Sequence, residues 1–221
     1  MQRAGGAYHY ERGSEEMKKK LSVLAVASVF AAGSAFASGY RIPEQSIDST
    51  AKAGANIASA TNADATYFNP ANMSWIDEGW LTELDLTYIR LASISYDDAR
   101  SPFFSGSTED ENFLLPTFFV VSPNYNNFRF GLSLTAPFGL AKRWNDPYPA
   151  TFAKKFELQV FELNPTVSYK FNQYVSVAGG ARMLMAKAIA RNGGVVNPAA
   201  GIAVDRDLEG NWEIDWGYNL A

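Results

Sequence analysis

The 221-residue chain contains no cysteine and a single histidine, His9. Without cysteine it can form no disulfide and present no thiolate, either as nucleophile or as zinc ligand. The lone histidine sits ahead of an export signal, so a mature chain keeps no imidazole for general acid–base work. A Ser-His-Asp triad cannot be assembled from what remains, and a lipase or protease would need residues from elsewhere. No metal site and no cofactor site are expected. Basic runs are also missing, and the net charge is −4, which argues against nucleic acid as a partner.

Long apolar runs are absent with one exception. Residues 17–37 read "MKKKLSVLAVASVFAAGSAFA", three lysines, a short apolar core and an Ala35-Phe36-Ala37 end. That is the pattern of a secretory signal peptide cleaved before Ser38, too short for a spanning helix of roughly 20 residues. Residues 1–16 precede the natural start of such a signal and are expected to be a misassigned start, with Met17 as the first residue.

Aromatic residues, by contrast, are plentiful for an acidic exported chain: 15 Phe, 11 Tyr and 5 Trp. Their arrangement follows a period of two. In "LTELDLTYIRLASISY", Leu84, Leu86 and Tyr88 share one face and Glu83, Asp85 and Thr87 the other, with Arg90 intruding on the apolar side. "FRFGLSLTA" sets Phe128, Phe130, Leu132 and Leu134 against Arg129, Gly131, Ser133 and Thr135. "NWEIDWGYNL" alternates Trp212, Ile214, Trp216, Tyr218 and Leu220 with Asn211, Glu213, Asp215, Gly217 and Asn219. Successive side chains of a strand point to opposite faces, so these segments predict two-faced strands.

Three further strands fit less cleanly. Residues 112–122 are apolar on both faces near the middle and carry Pro116. Residues 156–170 change phase near Phe161, as a bulge would cause. Residues 174–191 set Val175, Val177, Met183 and Met185 against Ser176, Ala178, Gly180 and Arg182. Six strands result.

The connections alternate as well. Residues 122–127 and 171–173 are short turns, whereas 97–111, 139–155 and 192–210 are long and polar. Short turns at one end and long loops at the other are the layout of an outer-membrane β-barrel. Trp80, Tyr96, Phe128, Trp144, Tyr174 and Trp212 near strand ends suit an interfacial girdle. A polar interior needs water or a plug, and the small-residue segment 38–79 is the candidate plug. Six strands do not close a barrel, and an open edge in lipid strands backbone groups at several kcal/mol each. The chain is therefore expected to be the N-terminal part of a longer protein, its residues 80–221 forming an open, incomplete wall.

The stretches "SGYRIPEQS", "AGANIASATNADATYFNPANMSW" and "LTAPFGLAKRW" resemble the outer-membrane long-chain fatty acid and aromatic hydrocarbon transport proteins (FadL/TodX family). The resemblance runs from about Ser38 to at least Arg191. It implies an all-β, antiparallel transmembrane barrel of fourteen strands, monomeric at full length and filled by an N-terminal hatch. It implies passive uptake of a fatty acid or other hydrophobic small molecule, released sideways into the bilayer where the third strand kinks. Carried over, the hatch and gate residues are Tyr40, Asn69, Pro70 and Ala71, and the kink falls at Pro137 and Gly139. Arg191 matches the family's basic head-group residue, and Arg182, with interior parity, is a second candidate.

On this pattern the Asn69-Pro70-Ala71 turn lies beside the kink, where Asn69 can serve backbone groups left unpaired. The alternative reading is an ordinary turn before a strand. Lys142 and Arg143 can meet lipopolysaccharide phosphates, and outer-membrane lipid is the expected surrounding. A water-filled diffusion porin is the alternative function.

Overall fold

The computed structural model describes residues 41–77 and 79–221. The start extension, the signal peptide and Tyr40 lie outside the described residues. No helix among the described residues is long and apolar enough to cross a membrane.

The strands are β1 (Leu81–Leu91), β2 (Ser95–Tyr96), β3 (Gly106–Ser107), β4 (Glu111–Val121), β5 (Phe128–Phe138), β6 (Ala141–Arg143), β7 (Lys155–Lys170), β8 (Ser176–Asn197), β9 (Ile202–Glu209) and β10 (Glu213–Leu220). Six of them form an antiparallel meander in the order β1-β4-β5-β7-β8-β10. The sheet is open, because β1 and β10 lie at its two edges rather than against each other. β6 extends the β5 line along β7, β9 folds back on β8, and β2 pairs with β3 in a separate loop ribbon. The loop expected at 192–210 is thus mostly a hairpin, its alternation hidden by the polar residues of β9.

Burial along these strands is inverted relative to a water-soluble sheet. Asp85, Thr117 and Glu162 are buried at 2, 1 and 0 % exposure, while Leu84, Tyr218 and Leu220 stand open at 74, 80 and 80 %. Leaving a row of Leu, Phe, Tyr and Trp in water forfeits about 1.5–3 kcal/mol for each large side chain. The arrangement is favourable only where hydrocarbon covers the apolar face. Arg90 fits this account: it is the next-to-last residue of β1, where it pairs with Asp110 at 2.8 Å at the loop end of the wall. It thereby avoids the cost of about 2–4 kcal/mol at a bilayer midplane.

Residues 41–77 pack on the polar face. They comprise a helix at Ile47–Ala51, capped by Ser46, then turns, a helix at Ala65–Phe68 and a 3₁₀ helix at Pro70–Trp75. Small side chains allow this close approach. Ala60, Ala63, Ala65 and Met73 form one buried cluster with Phe119 and Val121 of β4. Here lies the reason for β4's two apolar faces: Phe118 and Val120 face outward, and Phe119 and Val121 pack on the plug. β4 itself runs straight through Pro116, in unbroken register with β1.

One element departs from expectation. The phase change read near Phe161 is not a bulge in β7, which pairs with β8 in constant register from Lys155↔Arg191 to Lys170↔Ser176. The irregularity sits opposite, between Thr135 and Phe138 of β5. What changes along β7 is the environment of its inward face, polar from Glu162 to Ser168 and apolar at Leu158 and Val160.

Candidate functional site

β5 pairs with both neighbours only for part of its length. Its ladder to β4 covers Gly131–Leu134 and then stops, although β4 continues to Glu111. Its ladder to β7 persists, with Thr135 opposite Glu162 and Phe138 opposite Val160. Ala136 and Pro137 together therefore oppose the single residue Phe161, a one-residue bulge. Proline fits a bulge because it has no N–H to give a ladder. Past it, β5 and β6 diverge from β4 and leave a break in the wall.

An apolar cavity of about 250 Å³ occupies the break. Its inner lining includes Ile42 from the plug, Leu115, Ala136, Phe138, Leu158 and Val160. Its outer lining includes Leu114, Pro116 and Phe161, which belong to the lipid-side row of exposed residues. The cavity therefore connects the two sides of the sheet. Gly139 lines it, and a Cβ there would lie 3.4 Å from Ile42 Cδ1 and 3.6 Å from the Leu158 carbonyl, ordinary contact distances. The left-handed backbone beside the kink is that of Leu140, at φ +86°.

The backbone groups freed at the bulge are satisfied by the plug. The Gln45 carboxamide donates to the Ala136 carbonyl at 3.0 Å and accepts from the Ala136 N–H at 3.0 Å. Ile42 N–H donates to the Pro137 carbonyl at 2.8 Å, and Arg41 bridges to Phe138. Thr117 of β4 donates to the Gln45 carbonyl at 2.8 Å. Gln45 is fully buried, and its side chain stands in for the missing strand neighbour.

Asn69 does not have this role. Its amide donates to the Ile57 carbonyl at 3.1 Å and to Asn72 Oδ1 at 3.2 Å, stitching the plug to itself. The Asn69-Pro70-Ala71 turn ends one helix and begins the 3₁₀ segment, with Pro70 in the first turn, where a missing N–H costs nothing. Ser176 donates to the Ala71 carbonyl at 3.0 Å and accepts from Trp75 Nε1 at 2.9 Å. Ser176 pairs with Lys170 beside a short turn, ten residues along β7 from the Val160 level of the bulge. At about 3.3 Å per residue, Ser176, which holds the Ala71 carbonyl, stands roughly 30 Å along the strand from that level.

The two predicted head-group cations are both engaged. Arg191 donates to Asp207 at 2.9 Å and to Glu209 at 3.3 Å, within the β8–β9 hairpin beyond the wall. Arg182 projects inward, as its parity predicted, and its Nε donates to the buried Glu162 at 2.7 Å. Lys142 bonds to the Ala92 and Glu109 carbonyls, and Arg143 to Glu111 and Glu109.

Within the plug, Asp64 is buried and accepts from Ser46 at 2.8 Å and Asn56 at 2.5 Å. Burial raises its carboxyl above the ordinary carboxylate range, against the opposing donations of Ser46 and Asn56. A raised folded-state value binds protons more tightly than the unfolded chain does. Its contribution is thus largest below the unfolded carboxylate range and declines as pH rises through the folded value. Asp64→Asn is expected to flatten the pH dependence of plug protection, read by hydrogen exchange of residues 46–64 between about pH 4 and pH 8. An unchanged pH profile would rule Asp64 out as its source.

A sheet that is polar within and apolar without, plugged on its polar side and broken at one strand, is part of the wall of an outer-membrane β-barrel. The outer membrane protein transport family (OMPP1/FadL/TodX) matches residues 28–215, and the chain belongs to it. It is similar to outer membrane protein P1 of Haemophilus influenzae, 29 % identical over 201 residues, covering 81 % of this chain and 43 % of the relative. A putative outer membrane protein of Neisseria meningitidis serogroup B is 29 % identical over 133 residues, 57 % of this chain and 28 % of that protein. The crystal structure of a Pseudomonas aeruginosa FadL homologue shares the fold with a TM-score of 0.66 at 19 % identity, over 83 % of this chain and 49 % of that one. The chain thus spans less than half the length of the relatives it matches, and it is an outer-membrane protein.

Proposed function

We propose that the protein carries hydrophobic small molecules, long-chain fatty acids or other apolar compounds, passively across the outer membrane and releases them sideways through the break in its wall. The observation that carries this reading is the apolar cavity that runs from Ile42 of the plug to the lipid-side residues Leu114, Pro116 and Phe161. An apolar solute gains about 25 cal/mol for each Å² of its surface removed from water along this route. No bond is made or broken, and the direction of flow follows the concentration gradient.

The plug then acts as the gate, held at the break by Ile42 and Gln45 and anchored far from it by Trp75 and Ala71. Arg182 is an inward cation of the wall and is paired with Glu162.

Gly139→Trp tests the route. The space at Gly139 accepts a methyl group, whereas an indole would fill the cavity. The variant is expected to keep heat-modifiable gel migration and lose at least tenfold in uptake of labelled oleate by whole cells. Normal uptake by a folded Gly139→Trp protein would remove the lateral route. A diffusion porin would differ in conducting ions in planar bilayers with the plug seated.

A further inference from the structure

The seam between the plug and β1 brings three carboxyls together. Glu83 and Asp85 stand two residues apart on the inward face of β1, and Asp64 of the plug lies across the seam from them. The Asp64 N–H donates to Glu83 Oε2 and the Ile47 N–H to Asp85 Oδ2, each at 3.3 Å. Glu83 and Asp85 also bond to each other through their side chains, which requires a proton on one of the two carboxyls. Asp64 and Asp85 are both buried.

The charged groups around Asp64 are Asp48 and Lys52 of the plug, and those around Glu83 are Asp64 and Asp85. Lys52 is turned elsewhere. Its Nζ donates to Asn56 Oδ1 at 2.8 Å and to the Ser59 carbonyl at 3.2 Å, and it lies 3.9 Å from Asp48. On the wall side, β4 sets Phe119 opposite Glu83 and Thr117 opposite Asp85, and Thr117 donates to the Gln45 carbonyl. Asp64 is flanked by Ala63 and Ala65, which pack with Phe119 in the apolar seat. Its Oδ2 accepts from Ser46 and Asn56, while its buried Oδ1 has no hydrogen-bond partner among the described residues.

Three carboxyls against a surface of alanine and phenylalanine cannot all be ionised, because desolvation and mutual repulsion both favour the neutral form. Burial already raises the Asp64 carboxyl above the ordinary range. Among the described residues these side chains are not grouped as the ligands of a metal ion, and the cation that fits the empty Oδ1 is a proton.

We infer that Asp64, Glu83 and Asp85 form a proton-operated latch: bound protons seat residues 46–64 of the plug on β1, and their loss sets like charges on the two sides of the seam against each other. A carboxyl that holds its proton more tightly in the seated plug than in the released one favours seating at low pH. That contribution is complete below the released-state value and declines as pH rises through the seated value. The latch concerns how the plug is held, so it stands apart from the transport reading and from the place where solute leaves.

The test uses the intact purified protein in detergent between about pH 5 and pH 9. Hydrogen-exchange protection, referenced to free-peptide rates at each pH, reads the seating of residues 46–64. The infrared C=O stretch of protonated carboxyls reads the protons. Protection is expected to fall roughly tenfold or more across this range, in step with loss of a protonated-carboxyl band. Residues 70–76, which Ser176 holds without a titratable group, should keep their protection. Glu83→Gln retains an acceptor for the Asp64 N–H and imitates the protonated side chain, so it should level the pH profile and remove part of the band. Asp85→Asn, which retains the acceptor for the Ile47 N–H, should do the same. A wild-type profile in both variants, or the absence of any protonated band above the ordinary carboxylate range, would overturn the latch. So would a profile levelled by Asp64→Asn and by neither β1 variant, which would place the proton on Asp64 and not across the seam.

Discussion

Gln45→Met is expected to unseat the start of the plug from the wall while leaving the sheet intact. Methionine matches glutamine in length and lack of branching, so packing changes little. What disappears is the carboxamide that holds both the N–H and the carbonyl of Ala136. Ala136 is 4 % exposed, and the residue after it is a proline, so the bulge has no other strand to turn to. Two buried groups left unpaired cost about 2–4 kcal/mol together, a roughly 30- to 1,000-fold rise in local opening. Hydrogen exchange of residues 41–50 and 136–140 measures this directly. Gln45→Glu separates the two bonds, since a carboxylate still accepts from Ala136 N–H but no longer donates to its carbonyl. Its effect should be distinct from that of Met and confined to the same residues. Wild-type exchange in both variants would show that the clamp contributes nothing to holding the plug.

Gly131→Leu should have the larger consequence. Gly131 stands on the inward face of β5, opposite Thr166 of β7 and under the plug. A Cβ there would fall 2.6 Å from Met73 Sδ and 2.7 Å from Thr166 Oγ1, and closer still to Thr66 Cγ2. Thr66 and Met73 are fully buried and cannot swing away. Even one methyl group of overpacking costs about 1–3 kcal/mol, and a leucine excludes the helix Ala65–Phe68 altogether. The variant should insert and show heat-modifiable migration, yet expose residues 41–77 to protease and conduct ions in planar bilayers. For the milder Gly131→Ala, Thr66→Ser is expected to recover part of the protection, because it deletes the nearest of the three clashing groups and keeps the hydroxyl that donates to Ala63. A fully protected, non-conducting Gly131→Leu protein would mean that the plug does not rest on β5 as described.

The two experiments probe different attachments. Gln45 belongs to the break in the wall, whereas Gly131 belongs to the main seat, where Ala60, Ala63, Ala65 and Met73 meet β4. A carrier that gates by plug movement needs the first to yield more readily than the second. On that basis Gln45→Met should raise solute flux without ion conductance, and Gly131→Leu should raise both.

Much of this architecture was legible from the residues alone. Period-two alternation assigned the faces of β1, β5 and β10 correctly, since a strand's side chains have only two directions to take. The break near Pro137 was implied by the family resemblance and not by proline alone, since Pro116 and Pro165 stand in strands whose register is unbroken. The segment 156–161 was misread for an equally physical reason. Its change of pattern reflects a change in what the inward face touches, from plug to cavity, and one-dimensional periodicity cannot separate that from a shift of register. Likewise Tyr96 and Trp144 carried the composition of a girdle, but their loops fold together and turn them into a cleft.

The sequence by itself determined which side of each strand meets lipid and the order of the strands along the wall, and the family resemblance implied where the kink falls. The first two follow from local rules about alternation and turn chemistry. Only the tertiary structure decided who serves the kink. Gln45 and Ala136 are 91 residues apart, and neither carries a local signature of the other. The bulge creates a demand for one donor and one acceptor, and any polar side chain brought within reach would have met it. Folding of the plug against β4 and β5 brings Gln45 there and turns Asn69 to Ile57 and Asn72 of the plug itself, because hydrogen bonds are satisfied by proximity in space and not by order along the chain.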